Sequence, residues 1–297
     1  MFKIMTLLGL ILIYPSSANA TNIQLDMASL VDDLMNSSDL MKKRINRSGK
    51  QRMLTQKMTK VALLLSLNIN KEKNKKNLLT LANLYNDTLN EFKDGKNDLG
   101  FTVEANKEIQ KEILLVEKVW KPFFENVKII AEGKDKNGKA LEYLVKNNES
   151  LLKESNSLVS LYEKSNSSQN YIEKAMVSIV NLAGRQRMLT QKMTKEKLLI
   201  VQGKKEYSSE LKKTIKLFDD SLNILLKGNA EKKISKPSNI KIKNQLLKVQ
   251  TLWNELKPLY EKKKPTAQEL ATIIKKNPIL LKEMNQMVAL AETETEY

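Results

Sequence analysis

At 297 residues the chain can bury a core as one large domain or two ordinary ones, with no need of disulfides or metals. It contains neither cysteine nor histidine, which removes thiol catalysis, Ser-His-Asp chemistry, zinc sites of the Cys/His kind and imidazole pH switching. The formal charge of +17 is mostly lysine spread along the chain, so it is weak support for any polyanionic partner. The opening MFKIMTLLGLILIYPSSANA has a lysine near its start, an apolar stretch from Met5 to Tyr14 and the small-x-small end Ala18-Asn19-Ala20. This pattern predicts a secretory signal over residues 1–20 and a periplasmic mature chain, which would not meet nucleic acid. The apolar stretch is short for a membrane span, and retention as an N-terminal anchor is the alternative.

Beyond residue 20 glycine and proline are scarce and no useful period-2 run occurs, so the expected class is all-α. The predicted helices lie at roughly 22–69, 75–94, 103–131 and 138–163, then at roughly 169–202, 205–227, 240–263 and 266–291. Thr266 with Glu269 forms the signature of a capping box after Pro265.

The chain also repeats itself. NRSGKQRMLTQKMTK from Asn46 returns as NLAGRQRMLTQKMTK from Asn181, with QRMLTQKMTK identical. Three weaker echoes follow in order: LYNDTLNEFKDG from Leu84 and LFDDSLNILLKG from Leu217, the tryptophans Trp120 and Trp253, and LLKESNSLV from Leu151 and LLKEMNQMV from Leu280. The near-constant offset of about 130 residues divides the mature chain into homologous halves, 21–164 and 165–297. Four helices with short connections predict an up-down four-helix bundle per half. The polar stretch Ser165–Asn170 is the expected turn between halves; a continuous helix there would place the repeats differently.

On the repeated helix, Leu54, Met58, Val61 and Leu65 form one apolar stripe. A second stripe runs through Leu34, Met41 and Ile45 into Gly49, Arg52 and Gln56, and its copy runs through Met176, Val180, Gly184, Arg187 and Gln191. A second stripe requires a partner helix, and the self-complementary choice is the other copy, so the halves should pack as an intrachain pseudo-dimer. Gly49 and Gly184 sit in helix interiors, where glycine costs about 1 kcal/mol relative to alanine; close packing and a bare backbone beside a ligand both explain that.

The arginines are more selective. All five (Arg44, Arg47, Arg52, Arg185 and Arg187) lie in or just before the repeat, in a chain that otherwise uses lysine. Arginine offers a planar fork of donors suited to oxyanions. No acidic residue occurs between Asp39 and Glu72 or between Glu173 and Glu196, so no helical neighbour neutralises Arg52 or Arg187. Facing one another in a desolvated seam, they would repel unless an anion lay between them. Pairing with carboxylates from other helices is the plainer alternative. Gln56, Lys57, Gln191 and Lys192 lie about one turn further on and can add to the field.

The pattern N-x-x-G-x-x-R-M-x-x-x-K/R, as AGRQRMLTQKMTK, resembles the nitrate-sensor P-box of NarX-like proteins and, more closely, the PilJ-type N-terminal domain of chemotaxis transducers. The resemblance implies an extracytoplasmic four-helix bundle that pairs through its first helices. It also implies nitrate or nitrite bound between the paired boxes at Gly49, Arg52, Gly184 and Arg187, with Lys57 and Lys192 at the later basic position. Such domains usually carry membrane helices and a signalling module; this chain shows neither pattern, so the expected partner is a membrane sensor kinase or chemoreceptor. No cofactor, metal or enzymatic activity is expected. The rival reading is a structural or scaffold protein of the envelope with its arginines satisfied internally.

Overall fold

A computed structural model describes residues 17–95, 101–165, 171–294 and 297, with side chains described from residue 39 onward apart from 171–173. Among these residues the chain is all-α: α1 (Ser17–Ser66), α2 (Lys71–Asp94), α3 (Lys107–Ala131), α4 (Lys139–Ser165), α5 (Tyr171–Val201), α6 (Tyr207–Lys227), α7 (Ile240–Glu261) and α8 (Ala267–Thr293). By contacts the chain divides into residues 1–39 and a compact unit, Leu40–Tyr297, which holds both repeats from residue 40 on. Of the expected signal segment, residues 1–16 lie outside the described residues, as do residues 166–170 of the expected turn between halves. Among the described residues no helix is long and apolar enough to cross a membrane.

Helix ends follow local chemistry. α1 stops at Ser66, three residues before the expected end, because Asn68 and Asn70 turn left-handed at φ 56° and 44°. α3 and α7 begin only after Asn106 and Asn239, equivalent positions whose side chains each accept two backbone N–H groups of the first turn. α7 ends at Glu261, since Lys262 is already extended at ψ 122°. The capping box of Thr266 and Glu269 is formed.

Within the second half α5 packs on α6 and α8, α6 on α7, and α7 on α8, which closes a ring of helices. In the first half α2 packs on α3 and α3 on α4. α1 joins them through Gln51, whose Nε2 donates to the Tyr85 backbone oxygen at 2.9 Å. The copy of this bond runs from Gln186 to Phe218, at 2.8 Å. Each half is filled by one buried tryptophan against a ring of its second helix: Trp120 on Tyr85 at 4.2 Å between centroids, and Trp253 on Phe218 at 4.4 Å. The indole N–H is satisfied by Asn86 in one half and Asp219 in the other. Fold and packing therefore repeat together, from the ring stack down to a single side-chain bond.

The second helices end on equivalent glycines, Gly95 and Gly228, both at φ 78°. A Cβ on Gly228 would lie 2.8 Å from the Lys236 nitrogen and 2.9 Å from the Ile234 oxygen, both backbone atoms that cannot swing away. Gly228→Ala is expected to lose roughly 1–3 kcal/mol in urea unfolding from the strained dihedral alone; an unchanged midpoint would contradict this account of the turn.

Candidate functional site

The repeat buries α1 and α5 on nearly all sides: both stripes are interior from Ile45 to Val61, Met41 and Leu65 are half-buried, and Leu34 lies outside the described side chains. Arg52 is 1% exposed and Arg187 3%. An ideal Cβ on Gly49 would sit 3.3 Å from Arg52 Nη2 and 3.4 Å from Arg187 Nη2, and one on Gly184 would sit 3.4 Å from Arg187 Nη2 and 3.5 Å from Arg52 Nη2. The two guanidinium groups thus converge on the space left by the two missing side chains. A side chain at either position would touch both guanidinium groups at once, so glycine keeps the backbone bare beside them.

The donors are partly engaged. Arg52 Nη1 donates to Asn156 Oδ1 at 3.1 Å, and its Nη2 donates to Asn181 Oδ1 at 2.8 Å and to the Asn181 backbone oxygen at 3.3 Å. Arg187 Nη2 donates to the Asn46 backbone oxygen at 3.1 Å. The Nε–H groups of both arginines are buried without a hydrogen-bond partner. Among the described residues neither guanidinium makes an ion pair, whereas Arg44 pairs with Glu104 and Arg47 with Glu91. The carboxylate explanation therefore holds for two of the five arginines and fails for the two that the sequence pattern singles out. Burial, then the Arg185 and Arg187 charges, pushes Arg52 down to about 9; burial pushes Arg187 down to about 10. Two buried cations, each with an orphaned Nε–H, have the chemistry to accept a compact group of negative charge.

Around this pair stand residues to which the sequence reading gave no role. Asn181 Nδ2 donates to Glu163 at 2.6 Å, and Asn46 Nδ2 donates to Glu292 at 2.6 Å. Each bond crosses between halves, so the carboxylates approach the arginines only at one remove. Lys50 is held below its ordinary range by burial and then by Arg187. The repeated Asn was visible in the motif; Asn156, Glu163 and Glu292 lie on α4 and α8, far away in sequence.

The secondary positions are distributed differently. Gln56 and Gln191 are fully buried and donate to the neighbouring Thr55 and Thr190 hydroxyls at 3.1 and 2.9 Å. Lys192 pairs with Glu149 at 2.6 Å and Glu196 at 3.3 Å. Lys57 is half-buried, and its ammonium is pushed down by burial and by Lys50. Two turns from the arginines lies a second polar layer. Lys60 Nζ donates to Gln191 Oε1 at 2.6 Å and Asn277 Oδ1 at 2.7 Å, and its copy Lys195 donates to Asn148 Oδ1 at 2.6 Å and to Glu149 at 2.7 Å.

With this geometry in hand, the comparison with protein families is decisive. Residues 34–144 and 171–276 each match the PilJ model, described as the N-terminal domain of type IV pili methyl-accepting chemotaxis transducers. The chain belongs to the PilJ family. It carries the domain in tandem, and each copy supplies one glycine and one arginine to the pair described above. No curated protein and no solved structure matches the chain.

Lys60 gives a pH signature. Burial first, and Lys57 second, push its ammonium down to about 7, against about 10.4 for an unfolded chain. Between those values the unfolded chain holds a proton that the folded chain has released, so stability rises with pH, by up to about 1.4 kcal/mol per pH unit. Urea unfolding from pH 6 to 9 should show this rise above pH 7 in the wild type and a shallower one in Lys60→Met, since Lys50, Lys57, Lys195 and Lys197 are also pushed down by burial. Parallel pH profiles for the two chains would contradict the assignment.

Proposed function

We propose that this chain is a periplasmic receptor module for a small oxyanion, nitrate or nitrite first, bound between Arg52 and Arg187 and reported to a membrane sensor kinase or chemoreceptor. The observation that carries the reading is the convergence of both Nη2 groups on Gly49 and Gly184, with both Nε donors orphaned. A planar oxyanion can take donors from two opposed forks at once, which neither water nor a spherical ion does as well. Tandem PilJ domains and the NarX-like wording of the repeat support a sensing role over a catalytic one. Binding would draw α1 and α5 together at the arginines, and can shift the protein between states only by the difference in its affinity for them. A partner is part of this reading because the expected signal over residues 1–20 directs the mature chain outside the cytoplasm, and the output must cross the membrane. No cofactor is invoked.

A scaffold role has one specific observation in its favour: Glu163 and Glu292, held by Asn181 and Asn46, already offset part of the buried charge. Thermal melts separate the two readings. A ligand bound only to the folded state adds RT ln(1 + [L]/Kd), about 2.7 kcal/mol at 100 Kd. Nitrate or nitrite should raise the melting temperature where equal chloride does not, and Arg52→Ala/Arg187→Ala should abolish the rise. Equal shifts with chloride and nitrate would leave the scaffold reading standing.

A further inference from the structure

The carboxylates that stand behind the arginine pair are arranged with the symmetry of the repeat. Glu163 closes α4 and Glu292 closes α8, at equivalent places in the two halves. Each accepts Nδ2 of the asparagine from the opposite half at 2.6 Å, Glu163 from Asn181 and Glu292 from Asn46. Those asparagines in turn accept from the arginines, Asn181 through its side chain at 2.8 Å and Asn46 through its backbone oxygen at 3.1 Å. An ion pair with the guanidinium would have been simpler. Instead a neutral amide is interposed on both sides, which keeps two negative charges close by without an ion pair and leaves both Nε–H groups unengaged. Both carboxylates raise the arginine pKa values through space, which locates them electrically at the site. Both residues lie outside the segments matched by the family model, whereas Asn46 and Asn181 lie inside them.

We infer that Glu163 and Glu292 tune the charge selectivity of the site, biasing it against dianions relative to monoanions. The inference rests on the oxyanion reading of the arginine pair and adds to it the residues that disfavour divalent anions. Lys50 and Arg185 add positive charge to the neighbourhood, so the carboxylates act through the difference they make between ligands and not through the sign of the net field. A ligand of charge −2 feels twice the repulsion from the two carboxylates that a ligand of charge −1 feels. Removing them must therefore help a dianion by the square of the factor by which it helps a monoanion. Glutamine is the suitable replacement, since its Oε1 still accepts from the asparagine Nδ2 and the latch between halves is kept.

The test compares nitrate and sulfate binding, by calorimetry and melts at fixed ionic strength, for the full chain and for Glu163→Gln/Glu292→Gln. The wild type should bind nitrate, and its sulfate-to-nitrate affinity ratio is the reference. In the double variant nitrate should tighten on the order of three- to tenfold and sulfate by roughly the square, about ten- to a hundredfold. The single variants Glu163→Gln and Glu292→Gln should each produce about half of that change on a logarithmic scale, so a double variant that fails to fold does not end the test. If the wild type binds nitrate and the sulfate-to-nitrate ratio is unchanged in the variants, the carboxylates do not set selectivity and this inference is overturned while the site stands. If the wild type binds no nitrate, the site itself is refuted and the inference with it.

Discussion

Two guanidinium groups buried side by side repel one another, and in a medium of low dielectric that repulsion is several-fold stronger than at a surface. Both Nη2 groups lie against the bare backbone of Gly49 and Gly184, within 3.3 to 3.5 Å of where a Cβ would sit. Almost every other polar feature of the seam answers that one demand. Asn156 and Asn181 hold Arg52, the Asn46 carbonyl holds Arg187, and two carboxylates stand behind amides instead of in contact. Among the donors left over is one orphaned Nε–H on each arginine, which a ligand would satisfy.

Duplication makes this possible within one polypeptide and also lets the halves drift apart. The cores have kept their equivalence, with Trp120 against Tyr85 and Trp253 against Phe218. The polar layer below the arginines has not. Lys195 has Glu149 as a counter-charge, but the residue equivalent to Glu149 is Pro278, so Lys60 is left with the neutral oxygens of Gln191 and Asn277. Burial then makes its charged form expensive near neutral pH. A symmetric two-chain assembly could not hold such a difference, because any change would appear on both sides.

Much of this was readable from the amino-acid order. Helix interiors followed from hydrophobic period, ends such as Thr266 from capping chemistry, and the arginine pair from its identical setting in both copies. Repetition was the strongest signal, since it showed which arginines to compare. The helix end at Ser66 was misplaced because two asparagines adopted left-handed backbone in a stretch whose apolar pattern continued to Ile69. The absence of acidic neighbours within the helix was a sound argument for Arg52 and Arg187 yet misleading for Arg44 and Arg47, whose partners Glu104 and Glu91 come from elsewhere in the chain. Glu163 and Glu292 were out of reach for the same reason. They sit on α4 and α8, and nothing in local sequence distinguishes them from ordinary helix carboxylates.

A site composed of one arginine from each half makes a claim about stoichiometry that a surface patch of lysines does not. Calorimetric titration of the chain with nitrate should saturate at one anion per polypeptide, and either Arg52→Ala or Arg187→Ala alone should remove the binding. Saturation at two per chain, or a single variant that binds like the wild type, would contradict a shared site between the halves.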